Sequence, residues 1–388
     1  MSPGRTSAVN VVDYAGPHPV VGVVAKRTYS VNGGLVRLAD EQLPLVEEPR
    51  LQPTSELLEA DIDVMLRRPL VDVIVKGHAY APSAKATRFT AGLRVGALSR
   101  KFIVTGARRV ERDMMGELRF TPAEPIAKVP LSWELAYGGA DGAFARRHLD
   151  VEATLAALRL TKMVPSAKTV EDALCGYPRN PAGRGYLLEA TPESLERFEL
   201  PQIEEAFEPL IPETLVRKSP DYWPTAPLPA VTGFLPYVFF PRSLDCGLPA
   251  MPYDLDSVRP EHFPEVRLGL VSPRAVQVGM HASERVSLQA GQSAAPGMRL
   301  PKLLPGERIA LESLHPQNRA WEFTLPAERP RLIYRRPGNA AVEVEAQIRM
   351  LLIEPDESRM TVVWTGEAQE AALSEQQFLQ IEHAVLWT

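Results

Sequence analysis

Residues 129–139, VPLSWELAYGG, set a carboxylate, Glu134, beside an indole, Trp133, and follow them with Tyr137 and the pair Gly138 and Gly139. An indole stacks on a sugar face and a carboxylate next to it can serve as acid or base, so glycoside hydrolysis with a distant second acid is the chemistry this stretch suggests. A double glycine behind an aromatic also suits a backbone corner that needs positive φ, and tryptophan more often fills a core or an interface than a sugar site. The corner is the preferred reading, shaping the fold or a protein-binding surface.

Other chemistries find less in the sequence. The seven histidines are scattered, without the close pairing of a metal site and without an HExxH or an acidic calcium loop. No GxSxG elbow is present, and Cys175 and Cys246 lie far apart without CxxC spacing, so both read as free thiols. The glycine sets YGGADGAF and AGRGY lack the lysine and hydroxyl residue that complete a phosphate loop. The acidic pairs Asp61 and Asp63, and Glu204 and Glu205, read as solvated acids, and His78 as a hydrogen-bonded residue at a sheet margin. No catalytic residue, metal ligand or cofactor-binding residue is assigned, and no cofactor is expected.

The elements that must hold these residues are mostly strands. HPVVGVVAKRTYSV (18–31) is β-branched and followed by a hairpin signal, Asn32-Gly33-Gly34; VDVIVKGHAYAP (71–82) and RKFIVTGARRVER (100–112) repeat the pattern. Beyond Val266, short strands separated by proline and glycine return, with EPDES (354–358) as the turn between two of them. Helix is expected in two places, LDVEATLAALRLTKM (149–163) and the C-terminal ALSEQQFLQIEHAVL (372–386), where Ser374 and Gln377 form a capping box. The segment 221–242 places Tyr222, Trp223, Phe234 and Tyr237 among prolines, which suits an ordered loop layer packed on the sheets, or a groove lined by those rings. AGQSAAPG (290–297) reads as a flexible loop. The fold class is therefore mainly β: antiparallel sandwich or barrel-like sheets with long proline- and aromatic-rich loops and few helices, including a C-terminal one. The expected division is a β-rich domain with a long loop layer, 1–265, and a β-rich portion ending in a helix, 266–388, either separate from the first or continuous with it.

With 388 residues, a net charge of -5 and no lysine or arginine cluster of the size a phosphate-tracking surface needs, nucleic acid is not an expected partner. No run of about 18 apolar residues occurs, so a cytoplasmic chain without a membrane partner is expected.

Four fragments, DVIVKGHAYAP (72–82), VPLSWELAYGG (129–139), RNPAGRGY (179–186) and LPQIE (200–204), stand in the order and rough spacing of proteins carrying the domain DUF2169, which this chain resembles. VVGVVAKRTYSV (20–31) and ADEQLPLVEE (39–48) look like the start of the same domain, so the resemblance covers about the first two-thirds of the chain. Leu135 and Ala182 depart from the family pattern, which usually has arginine and valine there. The resemblance implies an adaptor or chaperone of a type VI secretion system, with a secreted effector and the spike and tip proteins as partners. It assigns no catalytic residue. The candidate partner-binding or corner residues are Trp133, Glu134, Tyr137, Gly138, Gly139, Arg184, Tyr222, Trp223, Phe234 and Tyr237. The alternatives are a carbohydrate-active hydrolase using Glu134, or an immunity or structural component of the secretion machinery.

Overall fold

The run from Val20 carries apolar residues on both parities, which suits a strand covered on both faces. The computed structural model describes residues 7–14, 18–55, 57–153, 171, 175–196, 198–218, 220–240, 242 and 292–388, and buries both faces of this strand. Strand β2 (Val20–Asn32) turns back into β3 (Leu35–Leu38) through Gly33 and Gly34, whose φ angles of 56° and 82° fit the two-residue hairpin turn.

On either side of β2 lie β1 (Ser7–Asp13) and β22 (Arg359–Gln369), both antiparallel to it. The sheet continues through β21 (Gln347–Glu354) and β6 (Val71–Val75) to β16 (Arg299–Leu300), with β21 and β6 parallel. Segments from both ends of the sequence thus interleave in one sheet. A second sheet has the order β15 (Ile203–Glu205), β9 (Leu98–Thr105), β8 (Arg88–Val95), β17 (Arg308–Glu312), β18 (Ala320–Thr324). A third joins β20 (Val342–Val344), β19 (Pro330–Arg335) and β23 (Glu382–Trp387). The remaining strands form pairs: β4 (Arg50–Leu51) with β5 (Leu58–Ala60), β7 (His78–Tyr80) with β12 (Lys128–Pro130), β10 (Val110–Arg112) with β11 (Leu118–Phe120), and β13 (Tyr137–Gly138) with β14 (Arg184–Gly185). The protein is mainly β, as its sequence patterning predicts.

Val24 of β2 joins Val73, Ile353 and Val363 in the main core, against Leu93, Phe102 and Ile309 of the second sheet. Val21, Val23 and Ala25, on the opposite parity, pack with Leu332, Tyr334 and Val344 of the third sheet. A smaller core gathers the irregular segment, with Tyr137, Tyr177, Tyr186, Trp223 and Phe240 at its centre. Among the described residues no helix is long and apolar enough to cross a membrane.

Several local expectations change once the chain is folded. The Ser374–Gln377 capping box forms, but its helix is a single turn, Glu375–Phe378, and the chain goes on into strand β23 on the free edge of β19. An edge offering a full ladder outweighs helix propensities worth tenths of a kcal/mol per residue. Of the expected helix 149–163, residues 151–153 are helical and 154–163 lie outside the described residues. A helix the periodicity missed, Gly142–His148, is capped by Asp141, whose carboxylate accepts the Phe144 N–H at 3.0 Å. Residues 292–295 of the expected flexible loop are buried, because the Asp72 carboxylate accepts from the Gln292 side chain and from the Ser293 and Ala294 amides at 2.7–3.0 Å. The strand expected at HASERVSLQA and the thiol of Cys246 lie outside the described residues.

The acidic pairs are not solvated. Asp63 is buried against Lys26 at 2.7 Å and accepts the Val46 amide; Asp61 is buried against Arg242 at 2.6 Å. Glu204 and Glu205 pair with Arg108 and Arg100, and burial pushes both carboxyls upward more than those guanidiniums pull them down. A buried pair that loses one partner leaves an uncompensated charge at a cost of about 3–5 kcal/mol. Lys26→Met is accordingly expected to lower unfolding free energy by about that much, and Lys26→Met with Asp63→Asn to recover more than half of it, as chemical denaturation of the three chains would read out.

Candidate functional site

Strand β12 delivers the chain to Ser132, whose hydroxyl accepts the Glu134 amide and caps a single 3-10 turn, Trp133–Leu135. Trp133 enters the main core: its indole N–H donates to the Phe234 carbonyl at 2.8 Å and its ring meets Phe239 edge-on at 5.3 Å. Glu134 points the other way into solvent, with its carboxylate 3.3 Å from the Ser132 hydroxyl. The chain then lies beside β14. Arg184 N–H donates to Ala136 O at 3.0 Å, and Tyr186 N–H donates to Gly138 O at 2.8 Å.

Asn180 locks this corner. Its side-chain amide donates to the carbonyls of Trp133 at 2.7 Å and Tyr137 at 3.1 Å, while its own carbonyl accepts the Gly139 amide at 2.9 Å. Such close approach leaves no room for side chains. A Cβ on Gly138 (φ +154°) would lie 2.1 Å from the Asn180 carbonyl oxygen, and one on Gly139 (φ +96°) 2.6 Å from that of Gly183.

Beneath the corner the aromatic candidates become structural. Tyr137 is buried, edge-on to Tyr177 at 5.3 Å, and its hydroxyl accepts from Arg217 at 3.3 Å. Trp223 packs on Phe240, with the fully buried Arg179 guanidinium 4.9 Å from its ring. Arg179 also donates to the Tyr177 hydroxyl and to carbonyls of the 223–226 turn. Phe234 is buried in the main core, and the side chain of Tyr222 lies outside the described residues. Tyr237 is half-buried and donates to Asp61 at 2.7 Å, beneath the Arg242 guanidinium at 3.9 Å from its ring. Burial alone would raise the Asp61 carboxyl; Arg242, followed by the hydroxyls of Ser293 and Tyr237, brings it below the ordinary carboxylate value. The structure therefore brings Trp133, Glu134, Tyr137, Gly138, Gly139 and Arg184 together at the corner, places Trp223 with Tyr137 in the smaller core, and places Phe234 and Tyr237 with Trp133 on the side of the main core.

Above the corner lies a cleft of about 470 Å³, floored by the glycines of β13 and β14 and walled by the Gly142–His148 helix and by Glu193, Ser194, Phe198 and Glu199. Four carboxylates line it, Asp141, Glu171, Glu193 and Glu199, against two guanidiniums, Arg146 and Arg184. Arg146 bonds Glu171 at 2.6 Å and Glu193 at 3.0 Å; Arg184 reaches Glu199 at 3.0 Å and donates to the Glu134 carbonyl at 2.8 Å. Asp141 ties the walls together, accepting amides of Phe144, Leu188 and Glu189. Ser194 donates to Asp141 at 3.4 Å, and among the described residues no histidine lines the cleft. Glu134 is not part of the lining. Cys175, buried nearby, has its thiol pushed up to about 12 by burial and by the Asp141 charge, which makes it a poor nucleophile at neutral pH.

Sequence reading overlooked Asn180, Asp141 and Arg179. The N-cap pattern at Asp141 is a usable signal; Asn180 and Arg179 stand in the fragment RNPAGRGY, but the role of Asn180 depends on contacts more than forty residues away that the fragment does not show. Among the described residues no group of three histidine, cysteine or carboxylate side chains could hold a metal ion.

A family model described as "Uncharacterized protein conserved in bacteria (DUF2169)" matches residues 17–365. The match extends well beyond the first two-thirds of the chain and takes in β21 and most of β22. No curated protein and no solved structure matches the chain.

Gly138→Ala is expected to abolish soluble folded protein or to cost about 3 kcal/mol or more, from overpacking plus backbone strain. Gly233→Ala, where an added Cβ meets nothing within 4 Å, should stay within about 0.5 kcal/mol of the parent in the same melt. Because the folded Asp61 carboxyl lies below its ordinary value of 3.8, its contribution is present above that pH and is lost as pH falls through the folded value. Thermal melts of Asp61→Asn and the parent chain should therefore differ by a constant amount near neutral pH and begin to converge only once the pH falls below 3.8.

Proposed function

The chain belongs to the DUF2169 family, and from that premise we propose that it is a non-enzymatic adaptor: a cytoplasmic chaperone that binds a type VI secretion effector and assists its loading onto the spike and tip proteins. The observation that carries this reading is an ordered hairpin that holds large apolar side chains in water. At the tip of the β10–β11 hairpin, Met114 and Met115 are 106% and 84% exposed. The tip is well braced. The Asp113 carboxylate accepts the Met115 and Glu117 amides at 2.8 and 3.0 Å, and Arg112 donates to the carbonyls of Gly116 and Ala190. At its base Val110, Leu118 and Phe120 pack on the smaller core.

Two more exposed apolar residues follow β15. Phe207 is 93% exposed, and Ile211, 44% exposed, precedes the 3-10 turn Pro212–Thr214 that packs beside β11. Methionine on a rigid mount suits an interface, because its unbranched, polarizable side chain adapts to irregular partners. Through Ala190 the hairpin leans on the segment that walls the cleft, so apolar anchors and a polar, net-acidic cleft stand on one structural unit. The hydrolase reading has no comparable support, since Glu134 is exposed and outside the cleft lining.

Co-expression with the effector and spike genes encoded beside this one, followed by affinity capture and sizing, tests the proposal. The expected result is a stoichiometric complex with an effector, weakened at least tenfold by Met114→Asp with Met115→Asp while thermal unfolding of the adaptor is unchanged. Capture of no neighbouring effector or spike protein in any combination overturns it.

A further inference from the structure

Strand β21 is interrupted where it meets β22. Ile348 pairs with Trp364 and Met350 with Val363, so Arg349 is an extra residue with no partner across the ladder. Such a bulge re-aims a side chain. Here Arg349 joins the lining of a second cavity, of about 190 Å³, at the end of the main sheet. Leu303 and the Trp364 ring supply apolar wall; Lys302, Arg329 and Glu345 stand exposed around it.

Two donors here have no acceptor among the described residues. The buried Nε–H of Arg349 and the indole N–H of Trp364, a residue only 3% exposed, make no hydrogen bond. Arg349 forms no ion pair among the described residues, and its nearby acid, Glu367, already accepts the Arg67 amide. Burial, with Arg68 close by, makes the Arg349 charge costly, and Glu367 offsets only part of that. Guanidinium and indole N–H groups can only donate, so the group that satisfies both is an acceptor. With three cations to one carboxylate around the cavity, that acceptor is anionic. Size and wall chemistry restrict the rest of the ligand, because a cavity of roughly 150 Å³ already holds a benzene-sized apolar body.

We propose that this cavity binds a carboxylate carried on a single small apolar residue, either the C-terminal residue of a peptide or a free acylated amino acid. Arg349 and the indole N–H of Trp364 hold the carboxylate, and the Leu303 side takes the aliphatic body. This site is separate from the hairpin and the cleft, and it stands or falls independently of the adaptor reading.

The experiment is calorimetric titration of the full chain with N-acetyl-leucine, its amide N-acetyl-leucinamide, and a hexapeptide ending in leucine with a free carboxylate. Saturable binding of at least one carboxylate, at least tenfold weaker binding of the amide, at least tenfold loss in Arg349→Met and several-fold loss in Trp364→Phe are expected. A peptide that binds tighter than the free acid identifies a chain end as the source; equal or weaker peptide binding identifies the free acid. Should Arg349→Met fold poorly, Arg349→Lys, which keeps the charge and removes the Nε–H donor, is expected to lose affinity in the same direction. No saturable binding of either carboxylate, equal binding of the amide, or unchanged affinity in a folded Arg349 variant overturns the proposal.

Discussion

The pairing of β2 with β22 is the contact on which the rest of the structure depends. Eleven consecutive residue pairs join Val20–Ser30 to Arg359–Gln369. The main sheet cannot exist until segments more than 300 residues apart have met. Both faces of β2 are then in use: Val20 and Val24 close on the main core, while Val21, Val23 and Ala25 on the other face receive the third sheet. A fold governed by so distant a pairing carries a large loop-closure cost before its contacts return anything, the regime in which folding is slow. The family match, which runs to residue 365 and so includes most of β22, agrees with this dependence.

Buried charge is the second constraint. Asp61, Asp63 and Asp72 each lie at or below 1% exposure, and each holds a chain segment that has little regular structure of its own. Asp72 gathers the 292–294 loop, Asp61 gathers Tyr237 and Arg242, and Asp63 holds Lys26 and the Val46 amide. Proline-rich segments cannot satisfy their backbone groups by forming helix or sheet throughout. Carboxylates, which accept several N–H groups at once, take over that task. The same logic places Arg179 under the aromatic cluster, where its guanidinium serves carbonyls of the 223–226 turn.

The stretch VPLSWELAYGG resolves as a corner. Trp133 and Tyr137 face opposite cores, the first joined to the main sheets and the second to the irregular layer, and the glycines let two backbones touch between them. What stands open to solvent is different material: the cleft above the glycines and the methionines of the neighbouring hairpin. Trp133, Tyr137, Trp223 and Phe234, which look like binding anchors in the sequence, are buried in the two cores, and the side chains that stand in solvent beside the cleft include methionine, arginine and glutamate.

The sequence by itself determined the features whose cause lies within a few residues. Alternation placed strands such as Arg308–Glu312 and Ala320–Thr324, Asn32-Gly33-Gly34 set the hairpin, and Ser374 with Gln377 set the capping box. Only the tertiary structure decided features that need partners brought from afar. Whether Asp61 is solvated depends on Arg242, whether residues 292–295 are mobile depends on Asp72, and whether residues 382–387 are helix or strand depends on the edge of β19. The bulge at Arg349 and the lock at Asn180 belong to the same class, because register and close approach exist only between chains already in contact. Local periodicity records which face is apolar; it holds no record of which charge, edge or carbonyl will stand opposite.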